Sequence, residues 1–277
     1  MKRVLITLLA LLAIAAGVQA RQKHDLVILH VNDTHSHLDP EHDGTGGVIE
    51  RAAYIDSVRR AEGRRNVLLL HGGDFEQGSS YFTVLKGEVE IKMVNDLGYD
   101  AITLGNHEFD NGIEDLGCRL SLIKCPVVAC NYDFSPFEMG KYAKPYTIVR
   151  KAGLKVGIIG VLCDLNGLVS QAITDRIPRF NTVEKVNQYA AYLRDVKRCD
   201  YIVVLSHAGF PEGHDSDLTD VSIVEKSHGL DLVVGGHSHT KMDTAYICKD
   251  ADGRDVPIVQ DWQWGLEVGL FRLVSVL

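Results

Sequence analysis

Five short apolar runs punctuate the chain, and each stops abruptly at polar residues. Leu26-Val27-Ile28-Leu29-His30-Val31 leads into Asn32-Asp33-Thr34-His35, and Val67 to Leu70 into His71-Gly72-Gly73-Asp74. Ala101-Ile102-Thr103-Leu104 leads into Gly105-Asn106-His107-Glu108-Phe109-Asp110. Tyr201 to Leu205 leads into Ser206-His207, and Leu230 to Val234 into Gly235-Gly236-His237-Ser238-His239. Apolar runs of this length without alternation read as strands buried on both faces. Further strands are expected at 126–129, 146–150, 155–161, 244–248, 256–260 and 267–276, with turn signals at Ala152-Gly153 and Asp252-Gly253. Helical spacing marks 47–61, where Val48, Ala52, Ile55 and Val58 recur, and 86–97, where Val89, Met93 and Leu97 share a face before Gly98. Residues 112–122, 182–197 (with Thr182 as cap) and 218–227 also read as helices, and 131–145 as a loop. Strands alternating with helices predict an α/β fold, in which ligands bind beyond the carboxyl ends of the strands. The hairpin at 146–161 and the strand-rich tail predict a second sheet.

Composition adjusts this picture at the N-terminus. Lys2 and Arg3 precede an apolar run from Val4 to Val18, and Val18-Gln19-Ala20 has the small-x-small pattern of a cleavage site. Residues 1–20 therefore read as a secretory signal peptide and residues 21–277 as one catalytic domain, exported to the periplasm or beyond the cell. A membrane anchor is the alternative, but the run falls short of the roughly 20 apolar residues that spanning needs. Without Lys2 and Arg3 the chain has 27 basic and 37 acidic residues, so its net charge goes from −8 to −10. Such a surface argues against nucleic acid and anionic membranes as partners. Six cysteines in an exported chain permit disulfides, and buried free thiols are the equal alternative.

The strand ends carry the chemistry. Asp33, His35, Asp74, Asn106, His207, His237 and His239 are oxygen or nitrogen donors that together predict a cage for two divalent metals. Asp33-x-His35 and His237-x-His239 would put alternate residues of an extended segment on one side. The glycines before the donors allow close backbone approach. Any one histidine after a strand is more often an ordinary core or surface residue. Five strands that all end in donors are much harder to reconcile with chance.

These motifs, Asp33-x-His35, Gly73-Asp74, Gly105-Asn106-His107-Glu108, Ser206-His207 and Gly236-His237-x-His239, resemble the calcineurin-like metallophosphoesterases. Asn32 to His35, Gly105 to Asp110 and Gly235 to Thr240 are similar to the 5'-nucleotidase branch. The resemblance implies a four-layer α/β/β/α sandwich of two mixed sheets with a two-metal centre. It implies that Asp33, His35 and His239 hold one metal, that Asn106, His207 and His237 hold the other, and that Asp74 bridges them. It implies His107 as the catalytic imidazole and Asp110 as the residue that orients it. A helix cap is the other reading of Asp110. His37, His42 and His71 receive no ligand role, and His71 stands where relatives often carry Asp. His24, His214 and His228 read as surface residues, and Trp262 and Trp264 as packing or rim residues in preference to the alternative, a base-stacking platform.

Two divalent ions against Asp33 and Asp74 leave the site at +2, or +1 with a bridging hydroxide, which attracts a phosphate. Such a hydroxide forms near neutral pH and is the expected nucleophile. The mixed donor set suits zinc, manganese, iron or cobalt. The expected activity is phosphomonoester hydrolysis of a nucleotide. The alternatives are a cyclic-nucleotide or other phosphodiesterase, a nucleotide-sugar hydrolase on the same centre, or a non-catalytic metal-binding subunit. The family also implies a C-terminal domain that reads the nucleoside; the expectation here is either a stand-alone phosphatase of broad specificity or a second domain supplied by a separate chain.

Overall fold

A computed structural model describes residues 25–211 and 218–273. The expected signal peptide, His24 and His214 lie outside the described residues. Two mixed six-stranded sheets carry the described chain, and their strands are β1 (Leu26–Val31), β2 (Val67–His71), β3 (Ala101–Thr103), β4 (Val127–Val128), β5 (Ala143–Lys144), β6 (Tyr146–Lys151), β7 (Leu154–Val161), β8 (Tyr201–Ser206), β9 (Leu232–Val234), β10 (Tyr246–Lys249), β11 (Asp255–Val259) and β12 (Gly269–Leu273). The first sheet has the order β12-β1-β2-β3-β4-β5 and the second β10-β11-β9-β8-β7-β6. The central strands of both run parallel, and antiparallel pairs close β12 on β1, β6 on β7 and β10 on β11.

Three apolar clusters explain the layering. Leu26, Ile28, Leu68 and Leu70 of the first sheet meet Val203, Leu205, Leu232 and Val234 of the second in the layer between the sheets. The alternate residues of the same strands face outward under helices. Val27, Leu29 and Leu69 pack with Ile55, Ile91 and Leu116 on one side. Ile202, Val204 and Val233 pack with Val186 and Ile223 on the other. Each strand is thus apolar on both faces because each face is a core, which is why the runs show no alternation.

Several expectations are corrected. The expected 86–97 helix forms as Glu88–Leu97, and a short helix that was not expected, Ser80–Leu85, precedes it. Lys86 (φ 53°) ends the first in the left-handed conformation and donates its N–H to the Phe82 carbonyl. Gly87 follows because a Cβ there would stand 2.7 Å from the buried Glu76 carboxylate. The 131–145 loop contains a 3-10 turn, Glu138–Lys141, and β5, which pairs Val127 with Ala143. The cap of the 182–191 helix is Asn181, which accepts from the Glu184 N–H, and not Thr182. The tail divides, with β10 and β11 extending the second sheet and β12 returning to the first beside β1. The Ala152-Gly153 turn holds, with both residues at positive φ (52° and 76°), as a two-residue type I′ hairpin requires. All six cysteines are free thiols.

Candidate metal centre

The carboxyl ends of β1, β2, β3, β8 and β9 meet where the edges of the two sheets touch. Glycine permits that contact. A Cβ on Gly72 would lie 2.8 Å from the Gly235 carbonyl, and one on Gly236 2.7 Å from the Gly72 carbonyl. A Cβ on Gly105 would stand 2.1 Å from Asp74 Oδ1 and 2.6 Å from His207 Nε2. The loops after β1 and β2 continue side by side beyond their strands, with Asp33 N–H on the Gly73 carbonyl (3.0 Å) and His35 N–H on the Asp74 carbonyl (3.0 Å).

The donor segments are not extended. Asp33, His35, Asp74, His237 and His239 all have left-handed backbones, with φ between 45° and 74°. Side chains two apart converge because the chain coils at the strand ends, and strand alternation plays no part. Non-glycine residues rarely adopt this region.

Three clusters bring the side-chain donors together: Asp33 with His35 and His239, His35 with Asp74 and His107, and Asp74 with His207 and His237. His207 Nε2 lies 3.0 Å from Asp74 Oδ2, and His35 Nε2 lies 3.0 Å from His239 Nε2 and 3.9 Å from Asp74 Oδ2. Asp33 Oδ1 is 3.5 Å from His239 Nε2 and 3.9 Å from His207 Nε2. Asn106 follows β3 on the same edge, and its carboxamide oxygen faces the Cys163 thiol at 3.6 Å.

Hydrogen bonding shows which atoms are reserved. Asp33 Oδ2 accepts from the His237 N–H (2.8 Å) and from Asn32 Nδ2 (2.7 Å), while Asp33 Oδ1 is buried without a hydrogen-bond partner. His207 Nδ1 meets the Gly72 carbonyl at 2.7 Å, which holds the ring so that buried Nε2 faces the cluster beside Asp74 Oδ2. Orphaned buried donors and acceptors are costly, and a cation removes the cost. A backbone carbonyl on the far nitrogen is also the usual support of a metal-binding histidine. The residues present therefore fit a divalent ion.

The electrostatics agree. Burial disfavours the charged form of Asp74, but His207 beside it outweighs burial and holds the carboxyl well below its ordinary range. Burial likewise opposes protonation of His207, yet Asp74 and Asp33 raise its pKa to about 10. Two carboxylates and an imidazolium thus mark a place built for positive charge. Burial pushes His35 down and favours its neutral form, as a ligand needs.

His107 stands at the rim, its ring 5.2 Å from that of His35. Its Nδ1 meets Asp110 Oδ2 at 2.9 Å, and its backbone N–H donates to Asp74 Oδ1 (2.9 Å). Burial lowers the His107 pKa, but Asp110 and Asp74 raise it by more. The following helix, Ile113–Leu120, begins from Gly112 without a side-chain cap, so Asp110 serves His107 and not the helix.

Sequence reasoning missed the supports. Glu108 is fully buried, and its carboxyl oxygens accept from the backbone N–H groups of Asp74 (3.1 Å), Phe75 (2.9 Å), Glu76 (3.2 Å) and Gly105. It ties the loop after β2 to the loop after β3. Burial and then Asp74 raise its pKa to about 8, against the pull of those amides. Arg119 holds the turn from below, donating to the Glu108 carbonyl (2.9 Å) and pairing with the buried Glu76. Asn32 and Asp261 exchange backbone–side-chain hydrogen bonds (3.1 and 3.0 Å) and fasten the loop after β11 to the end of β1. The only advance signal for Glu108 was its place inside the motif. His71 is buried and neutral, its pKa pushed to about 3 by burial, and it accepts from the Gly73 N–H at 3.2 Å. His37 stacks on Trp264, and His42 lines a cleft with both tryptophans, so these are rim residues. His228 is exposed, as expected.

Two mixed sheets whose parallel strands end at a carboxylate–imidazole cluster define an α/β protein of metallophosphoesterase type. The chain belongs to the calcineurin-like phosphoesterase family, whose profile matches residues 26–241. It is 34% identical to snake venom 5'-nucleotidase of Naja atra over 90% of this chain and 50% of that protein. It is 32% identical to 5'-nucleotidase of Rattus norvegicus over 96% of this chain and 49% of that protein. The crystal structure of a 5'-nucleotidase precursor from Thermus thermophilus superposes with a TM-score of 0.78 at 32% identity, covering 90% of this chain and 51% of that one. The chain spans about half the length of the curated relatives it matches.

Proposed function

We propose that the chain is a metal-dependent phosphomonoesterase of 5'-nucleotidase type. The observation that carries this reading is the orphaned Asp33 Oδ1, buried inside a carboxylate–imidazole cluster with the His107–Asp110 pair at its rim. The family and the similarity to 5'-nucleotidases support it.

Asp33, His35 and His239 would hold one divalent ion and Asn106, His207 and His237 a second, with Asp74 shared. Zinc, manganese, iron or cobalt suits such donors. Bound ions would supply a charge that stabilises phosphoryl oxygens and activates water. The remaining roles belong to the chain. Asp33 and Asp74 keep the donor atoms aimed inward through their backbone partners. His107, whose protonated form Asp110 and Asp74 favour, would donate Nε2–H to a phosphoryl oxygen or to the departing alkoxide, while Asp110 fixes the ring at Nδ1. Positioned acid catalysis of this kind contributes about 10²–10⁴-fold.

The same reading treats residues 21–277 as one catalytic domain behind a signal peptide and places it outside the cytoplasm. Among the described residues no helix is long and apolar enough to cross a membrane. A nucleotide is the proposed substrate, and a separate chain carrying a nucleoside-reading domain is a candidate partner, because the relatives are about twice as long. The test is a hydrolysis panel on the purified chain with manganese or zinc, covering AMP, other 5'- and 3'-nucleotides, a 2',3'-cyclic nucleotide and an aryl phosphate. Hydrolysis of the monoesters, lost on chelation, is the expected result. Turnover confined to the cyclic diester would replace the reading with a phosphodiesterase, and stoichiometric metal binding without hydrolysis of any ester would refute catalysis.

A further inference from the structure

We infer that the cleft walled by Trp262 and Trp264 is a subsite for the base of a nucleoside 5'-phosphate, carried by this chain itself. The inference rests on the phosphomonoesterase reading and names what lies at the other end of its substrate. The cleft has a volume of about 590 Å³ and is completed by Glu41, Asp43, Leu266 and Glu267. That volume falls within the roughly 300–1,000 Å³ of small-molecule sites.

The loop that carries the indoles is fastened to the metal centre. The Trp264 N–H donates to the Asp33 carbonyl (2.6 Å). Asn32 Nδ2 donates both to Asp33 Oδ2 and to the Trp262 carbonyl (2.7 Å each). The cleft is therefore held at a set position relative to a candidate ligand. Both tryptophans sit in the left-handed region, with φ 77° and 59°. Bulky residues rarely accept that conformation, and it persists where surrounding bonds impose it and function uses it.

Each indole is braced from one side. The Lys241 ammonium lies 5.0 Å from the Trp262 ring centroid, and His37 stacks on Trp264 at 4.6 Å with the planes 6° apart. The bracing holds the aromatic walls in place. Base–aromatic stacking needs such rigid π surfaces. Carboxylates on the rim offer acceptors for ring and exocyclic N–H groups. The charge of each acid is already engaged through one oxygen, Glu267 by Lys241, Glu41 by His37 and Asp43 by Thr45. With an ammonium already over Trp262, the walls favour a flat neutral ring over an organic cation.

Trp262 and Trp264 are the only tryptophans in the chain, so its indole fluorescence reports on this cleft alone. The full chain, freed of metal, is titrated with adenosine, ribose and tetramethylammonium. Adenosine should quench the emission saturably, and ribose and tetramethylammonium should not. No change with adenosine, or quenching by tetramethylammonium instead, overturns the inference. Trp264→Leu and Trp262→Leu should each weaken adenosine binding, measured by calorimetry, by roughly fivefold to 150-fold, the usual worth of one base–aromatic stack. The ratio of kcat/KM for AMP over ribose 5-phosphate should fall with it, and an unchanged ratio in both variants counts against the subsite. Adenosine quenching in a chain that hydrolyses neither ester would sink the phosphomonoesterase reading and leave the base subsite standing.

Discussion

Glu108→Ala removes one side chain that has four backbone partners and touches no substrate. The amides of Asp74, Phe75, Glu76 and Gly105 lose their acceptor together. A buried donor left unsatisfied costs about 1–3 kcal/mol, so four cost about 4 kcal/mol even at the low end. Relief of the carboxyl's own burial and entry of water offset part of this. For a chain of this size about 4 kcal/mol corresponds to roughly 8 °C or more in Tm. Glu108→Gln isolates the cause. Its single oxygen can still serve two amides, but its NH₂ group faces the other two N–H donors. About half the loss, ~2 kcal/mol, should therefore persist in an isosteric variant. The assay is thermal unfolding of chelator-treated protein, so that lost ions do not contribute, with amide hydrogen exchange at residues 74–76 and 105. Both variants melting within about 2 °C of the parent, with exchange unchanged, would refute the argument that Glu108 ties the two loops together.

Three further outcomes follow from the same geometry. Asp74→Ala removes the carboxylate shared by two of the donor clusters, so bound metal measured by elemental analysis should fall for both ions; two ions still bound per chain would contradict the shared role. His107→Ala should retain metal while turnover drops at least about tenfold, and Asp110→Asn should move the alkaline limb of the pH–rate profile to lower pH, because the hydrogen bond that raises the His107 pKa is weakened. Asp220 is fully buried, and desolvation raises its pKa from 3.8 to about 7 against the opposing pull of Ser206 and His207. The folded state keeps that proton while the unfolded chain releases it, so the parent loses stability as pH rises from about 4 to 7, by up to about 4 kcal/mol. Asp220→Asn should therefore gain Tm over the parent progressively between pH 5 and 8, and a difference independent of pH would dismiss Asp220 as the cause.

The sequence by itself determined the central strands and nominated the candidate donors. β1, β2, β8 and β9 were legible because both of their faces are cores, which leaves an unbroken apolar run whatever the neighbours are. Asp33, His35, Asp74, Asn106, His107, His207, His237 and His239 were legible because each stands at the abrupt end of such a run, where an α/β sheet presents its ligands. Tertiary structure decided what depends on residues far apart in the chain. The donors converge through left-handed coils held by bonds such as His237 N–H to Asp33 Oδ2, a partner 204 positions away, so local alternation gave the right neighbours for the wrong reason. The helix break at Lys86-Gly87 answers to buried Glu76 and Arg119, and the return of β12 to β1 closes an edge whose partner no local pattern specifies. Glu108 is an acidic residue in a polar motif until folding surrounds it with four amides. Burial, which exists only in the folded chain, turns its carboxyl into the tie between two loops.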